Sequence, residues 1–245
     1  MREATTEKAE NIIPMKTKAL VIVAGTKGGT GKSLTATLIY SWLQEQGKRV
    51  AAFDGDNENS TLCRFIPEAG FVDMRQPNAI DLILQPIITD KADVVLLDSR
   101  AGTSDEMLDW LRSIGIENIQ KELACKVTIV ATVTATMDTV EQLKRWSDEL
   151  KGSVRWLVIS NTVAGPTDIY DKSKLRKTIM EEYHGKEIIL PKLPDFLMQV
   201  LDKTSMTLHA ASKSDKVDFF SRSRCVGIIK PAMEQIAKVQ EVILP

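Results

Sequence analysis

Ten residues, Ala24-Gly25-Thr26-Lys27-Gly28-Gly29-Thr30-Gly31-Lys32-Ser33, restrict this chain more than any other stretch. They follow an apolar run, Ala19-Leu20-Val21-Ile22-Val23, and precede residues with helical spacing. Gly25, Gly31, Lys32 and Ser33 fill the pattern G-x-x-x-x-G-K-[ST], in the strand-to-helix setting that gives the pattern meaning. Glycines let the backbone turn tightly, so that successive N–H groups converge on phosphate oxygens. The following helix presents its unpaired N–H groups and positive dipole end to the same anion. A lysine at position 32 reaches the β- and γ-phosphates, and a hydroxyl at 33 ligates Mg²⁺. A nucleoside triphosphate site is therefore expected over Gly28, Gly29, Thr30, Gly31, Lys32, Ser33 and Leu34.

The rest of the sequence supplies a sheet to carry that loop. Residues 33–46 place Leu34, Leu38, Ile39, Trp42 and Leu43 at helical spacing, and Gly47 is a stop signal. Residues 49–53 form a second strand that ends at Asp54. Strand, loop, helix, strand is a βαβ unit, so the fold class is α/β, a doubly wound, mostly parallel sheet flanked by helices. Ligands then bind at the carboxyl ends of its strands. Further strands are expected over 92–98, 126–132, 154–161 and 187–191. Helices are expected over 78–84, 105–114, 137–150 and 171–183, and from 215 onward with Pro231 opening the last. Residues 1–18 read as a polar, mobile lead-in, and residues 19–245 as one domain without repeats or linkers.

Two strand ends carry acids. Asp54 and Asp56 follow the second strand, where such a pair holds Mg²⁺-bound water or orients an attacking water, or simply caps the next helix. Ala92-Asp93-Val94-Val95-Leu96-Leu97-Asp98 is a buried-strand pattern that delivers one carboxylate to a Mg²⁺ shell. The expected metal set is thus Ser33, Asp98 and Asp54. Net charge −1 gives no global pull toward nucleic acid, so any DNA contact has to be local. Cys63, Cys125 and Cys225 are far apart and form no C-x-x-C, which suggests reduced thiols and a cytoplasmic setting rather than a metal cluster. No apolar run approaches bilayer length, so membrane insertion is not expected.

A second lysine narrows the reading. With Lys27 the loop runs K-G-G-T-G-K-S, and this resembles the deviant phosphate loop of the family containing the partition ATPase ParA, the division-site ATPase MinD and the nitrogenase iron protein. The resemblance covers about residues 19–195. It implies ATP and Mg²⁺ as cofactors and a homodimer in the ATP state, in which Lys27 acts across the interface beside Lys32. Asp54-Gly55-Asp56 is similar to the family's first switch, which implies that Asp56 positions the water. Asn57 stands there in place of the usual proline. Ser99-Arg100-Ala101-Gly102 resembles the second switch, with Arg100 at a usual proline. By the same resemblance Asn161 reads the adenine edge and the loop from Pro191 lies against the base.

The function so implied is a ParA-like ATPase of slow, partner-stimulated turnover, serving DNA or plasmid partition or the positioning of a large cargo. The C-terminal third is also similar to conjugal-transfer ATPases of the superfamily. Lys172, Lys174, Arg176 and Lys177 are the strongest basic cluster, readable as a solvated helix face or as a non-specific DNA contact. Alternatives on the same loop are a biosynthetic ligase or kinase and a MinD-like membrane positioner. For the latter, the C-terminal stripe Met233, Ile236, Val239, Val242 and Ile243 reads better as core than as a membrane helix.

Overall fold

The computed structural model describes residues 16–25, 27–56, 60–76 and 78–245. Most of the lead-in, together with Thr26 and Asn57, lies outside the described residues. The first strand, β1 (Lys18–Ala24), is buried along its whole length and sends Leu20 and Ile22 to one face, Val21 and Val23 to the other. A strand apolar on both faces is one covered by helices on both sides. After the glycine loop, α1 (Lys32–Glu45) leads to β2 (Val50–Asp54). Then come α2 (Thr61–Phe65), the two-residue β3 (Gly70–Phe71), α3 (Ala79–Ile88) and β4 (Val94–Asp98). Helices α4 (Ser104–Ile114) and α5 (Ile116–Glu122) precede β5 (Cys125–Val133), and α6 (Met137–Leu150) leads to β6 (Arg155–Ser160). Short helices α7 (Asp168–Asp171) and α8 (Lys174–Lys177) precede β7 (Lys186–Ile189). Last are α9 (Asp195–Thr204), α10 (Leu208–Lys213) and α11 (Phe219–Lys238).

The seven strands are ordered β3-β2-β4-β1-β5-β6-β7, and every pairing among the described residues is parallel. After β3 the chain returns to place β4 beside β1, then crosses β1 to β5. The winding therefore reverses around β1, the position at which open α/β sheets form ligand clefts. One face packs α3, α4, α5 and α6 through Ile83, Met107, Ile119 and Trp146. The opposite face packs α1, α9, α10 and α11 through Ile39, Leu201, Leu208 and Ile236.

Two local expectations are corrected. The helix expected over 171–183 is interrupted: Ser173 caps a new start by accepting the Arg176 N–H at 3.1 Å, and residues Thr178–Glu182 form a π turn. Pro231 lies inside α11 rather than at its start, which Asp218 marks by accepting the Ser221 N–H at 3.1 Å. Pro231 and Gly227 are both exposed, so the carbonyl deprived of its helical partner faces solvent, where water satisfies it.

Within the C-terminal stripe, Ile236, Val239, Val242 and Ile243 are buried, and Met233 is half-buried. The last residues are clasped to the sheet: the Thr128 hydroxyl donates to Val242 O, and Arg155 Nη1 donates to Glu241 O and Leu244 O at 2.8 and 2.7 Å. Ile236→Ala is expected to lower unfolding free energy by about 2–5 kcal/mol, the usual loss for an isoleucine truncated in a packed core. Met233→Ala should lower it clearly less. Urea unfolding midpoints of the two variants check this, and equal losses would mean that the stripe is not graded by burial.

Candidate nucleotide site

The glycine loop leaves β1 at the centre of the sheet and folds over its own lysine. Lys32, 8 % exposed, donates its ammonium to the carbonyl of Lys27 at 2.9 Å. Burial pulls that ammonium below the ordinary lysine value, while the Asp98 and Asp56 charges pull it back up. A Cβ on Gly25 would stand 2.8 Å from Lys32 Cδ, so only glycine leaves room for the lysine stem. Gly31 caps α1 in the left-handed region (φ 92°), and a Cβ there would meet Leu190 Cδ2 at 2.4 Å. No side chain caps α1, so its first N–H groups point into the cleft without an internal acceptor, which suits an anion.

Neighbouring strands brace the loop. Thr132 at the end of β5 donates to Thr30 Oγ1 at 3.1 Å, and Asn161 after β6 donates from Nδ2 to Thr30 O at 2.9 Å. Asn161 Oδ1 accepts the Val163 N–H at 3.0 Å. Both ends of this carboxamide therefore already have one partner within the chain, and each keeps one further donor or acceptor position. Asn161 and Pro191 both line the cleft, an open space of ≈ 720 Å³ that also takes in Gly28, Lys32, Ser33 and Asp98.

The acids converge on the same cleft. Asp98 at the end of β4 is buried, and its carboxyl is pushed up to about 7, chiefly by desolvation; the neighbouring Ser33 hydroxyl draws it back down and Asp54 raises it further. Its Oδ1 is buried without a hydrogen-bond partner. Asp54, also buried, uses Oδ1 to accept the Asp56 N–H at 2.9 Å and Oδ2 to accept the Cys63 N–H at 3.1 Å. It thereby shapes the first switch and the start of α2. Asp56 is half-buried and lines the cleft. The chain just after β2 meets the end of β4: Gly55 N donates to Asp98 O at 2.9 Å, and a Cβ on Gly55 would lie 3.2 Å from that oxygen and 3.4 Å from Arg100 N.

These residues fit Mg²⁺. An orphaned buried carboxylate oxygen beside a hydroxyl is an oxygen donor pair for a hard cation, and Mg²⁺ takes only one or two carboxylates, leaving the remainder of its shell to water and phosphate. In keeping with that, no group of three metal-ligating side chains that could cage a metal occurs among the described residues.

Lys27 and the basic cluster stand apart. The Lys27 side chain is 49 % exposed and its ammonium pairs with Asp138 at the start of α6 at 2.8 Å. Lys172 pairs with Asp168 at 2.7 Å and Arg176 with Glu187 at 3.0 Å, while Lys174 and Lys177 are exposed. None of the four lines the cleft. Sequence reasoning did not single out Thr132, Thr61 or Met198, which border the loop or line the cleft. Their placement comes from strand register and from α9, which no local pattern signals.

Residues 21–208 match the family model described as the CobQ/CobB/MinD/ParA nucleotide binding domain. The chain is 23 % identical over 200 residues to protein MobD of Acidithiobacillus ferrooxidans, covering 80 % of this chain and 87 % of that one. Its fold is similar to the MinC:MinD cell division complex of Aquifex aeolicus, with TM-score 0.52, 17 % identity, and 89 % and 96 % of the two chains covered. It is likewise similar to the septum site-determining protein MinD of Pyrococcus horikoshii OT3, solved with Mg-ADP, with TM-score 0.52, 15 % identity, and 91 % and 97 % covered.

The raised carboxyl of Asp98 has a measurable consequence. Between the ordinary aspartate value of 3.8 and about 7, the folded chain holds a proton on Asp98 that the unfolded chain has released. Stability of the nucleotide-free protein is therefore expected to fall as pH rises through that window and to level off above it. Asp98→Asn should flatten this part of the profile. Thermal melts from pH 5 to 8 check it; a wild type and variant of identical slope would remove Asp98 as the cause.

Proposed function

Because the chain belongs to the CobQ/CobB/MinD/ParA family of nucleotide-binding domains, we propose that it is a Mg-ATP-dependent ATPase of the ParA type. In this reading it closes as a homodimer over nucleotide and uses slow hydrolysis to reset, in DNA or plasmid partition or the positioning of a large cargo. The observation that carries the reading is the divided use of Lys27. Its carbonyl receives the Lys32 ammonium, while its side chain stands outside the cleft on Asp138. A lysine displayed beside a phosphate loop and directed away from it is poised for a second subunit's nucleotide. The ion pair holding it is exposed at both ends, 49 % and 58 %, so its release costs about 0–1 kcal/mol.

The chemistry follows from the cleft. Ser33 and Asp98 would hold Mg²⁺, which would supply neutralisation of phosphate charge. Asp56 orients a water whose oxygen bonds to the γ-phosphorus as the bond to the bridging oxygen breaks, and the Asp56 carboxylate accepts the water's hydrogen bond. Lys32 and the partner subunit's Lys27 offset charge on the transferred phosphoryl group and the departing diphosphate. The closed dimer is a population favoured by triphosphate and lost on hydrolysis, the opening by which a stimulating partner acts. If DNA is the track, Lys174 and Lys177 on α8 are the side chains to carry the contact, since Lys172 and Arg176 already have acid partners.

Light scattering tests the switch. The protein is expected at single-chain mass with Mg-ADP and at twice that mass with a slowly hydrolysed ATP analogue, and Asp56→Ala should dimerise in ATP itself. Lys27→Ala is expected to lose ATP turnover. A mass indifferent to nucleotide would sink the proposal and favour a small-molecule ligase or kinase. Asp138→Ala should leave nucleotide binding unchanged and strengthen dimerisation by no more than about thirtyfold, the equivalent of ~1 kcal/mol for each of the two lysines released. For DNA, Lys174→Glu with Lys177→Glu should weaken gel shifts and reduce the salt slope by about 2; unchanged shifts would place any DNA contact elsewhere.

A further inference from the structure

Behind Asp98 the chain is pinned twice. Ser99 directs both its N–H and its hydroxyl to Val23 O on β1, at 3.0 and 2.9 Å. The Arg100 carbonyl then accepts the Thr103 hydroxyl at 3.0 Å, at the start of α4. Gly102 follows in the left-handed region (φ 86°). Between these anchors the half-buried Arg100 side chain forms part of the cleft wall, together with Lys32, Asp56 and Asp98. Its backbone N is 3.4 Å from the Cβ position of Gly55, which places it at the acidic end of the cleft where the two switches meet. Pro191, Lys192 and Asn161 line the cleft as well.

The cleft takes in three cationic side chains: Lys32, whose ammonium meets Lys27 O, Lys192 on the loop after β7, and Arg100. An arginine at the acidic end differs from both lysines. A guanidinium presents a planar fork of donors that matches two oxygens of one phosphate.

We propose that Arg100 contacts the terminal phosphate of nucleotide bound in its own subunit, so that the second switch distinguishes triphosphate from diphosphate through a side chain of its own. This rests on the nucleotide reading above and adds to it a positioning residue acting in cis, distinct from the Lys27 contributed by a partner. When the guanidinium engages a γ-phosphate, the segment between Ser99 and Gly102 is held at the cleft. When that phosphate leaves, the segment keeps only its anchors at Ser99 and Thr103.

The test compares two nucleotides on one variant. Calorimetric titration of Arg100→Ala with Mg-ADP is expected to give a Kd within about twofold of wild type. Titration with a slowly hydrolysed Mg-ATP analogue should be weaker by about 10–100-fold, the range for losing a hydrogen bond to a charged group. Arg100→Lys should recover part of the analogue affinity, because a point charge remains without the fork. An equal loss for both nucleotides, or an Arg100→Ala protein with a lowered urea midpoint, would make Arg100 a structural counter-charge and overturn the proposal. Unchanged affinity for both would overturn it as well. Failure of the wild type to bind either nucleotide would overturn the nucleotide reading together with it, a result separable from failure in the variants alone.

Discussion

Everything in the cleft depends on one buried ammonium. Lys32 is withdrawn from water and given a carbonyl of its own loop and the field of two aspartates in exchange. An ammonium in so dry a place is stable only where such partners surround it. The partners come from separate parts of the chain. The carbonyl belongs to the loop, Asp56 follows β2 and Asp98 ends β4. The parallel sheet brings all three strand ends to one edge, and burial of β1 on both faces keeps that edge rigid. The fold can thus be described as the scaffold that makes a charged lysine tolerable where a polyanion will sit.

The same arrangement explains why Asp98 titrates so high. A carboxylate deep in the molecule with an unpaired oxygen is unfavourable when charged. A divalent cation removes that penalty. Asp54, equally buried, is different: both its oxygens are engaged by backbone N–H groups, so its charge is already satisfied and it serves the shape of the first switch.

Much of this was legible in sequence because it is local. The glycine loop, the unbroken apolar run of β1, and the acids closing β2 and β4 are each encoded within a few residues, and the sheet class follows from their order. What escaped reading is what tertiary contact decides. Ser173 restarts a helix that periodicity would have run straight through, and α11 carries Pro231 in its interior because that face is solvated. Thr132 meets the loop only because β5 pairs beside β1 in one register. Asn161 was legible as a polar strand-end residue, but not as the brace that ties β6 to Thr30. Lys27 was singled out by its position in the loop, and its outward turn to Asp138 needs α6 in place.

Gly55 has a consequence of another kind. It lies so close to Asp98 and Arg100 that no larger residue fits without displacement, and its N–H is bonded to the Asp98 carbonyl. The chain segments after β2 and β4 thus leave the sheet from one shared point, one residue beyond the Asp54–Asp98 pair of the ladder, and a side chain added at Gly55 would have to push both aside at once.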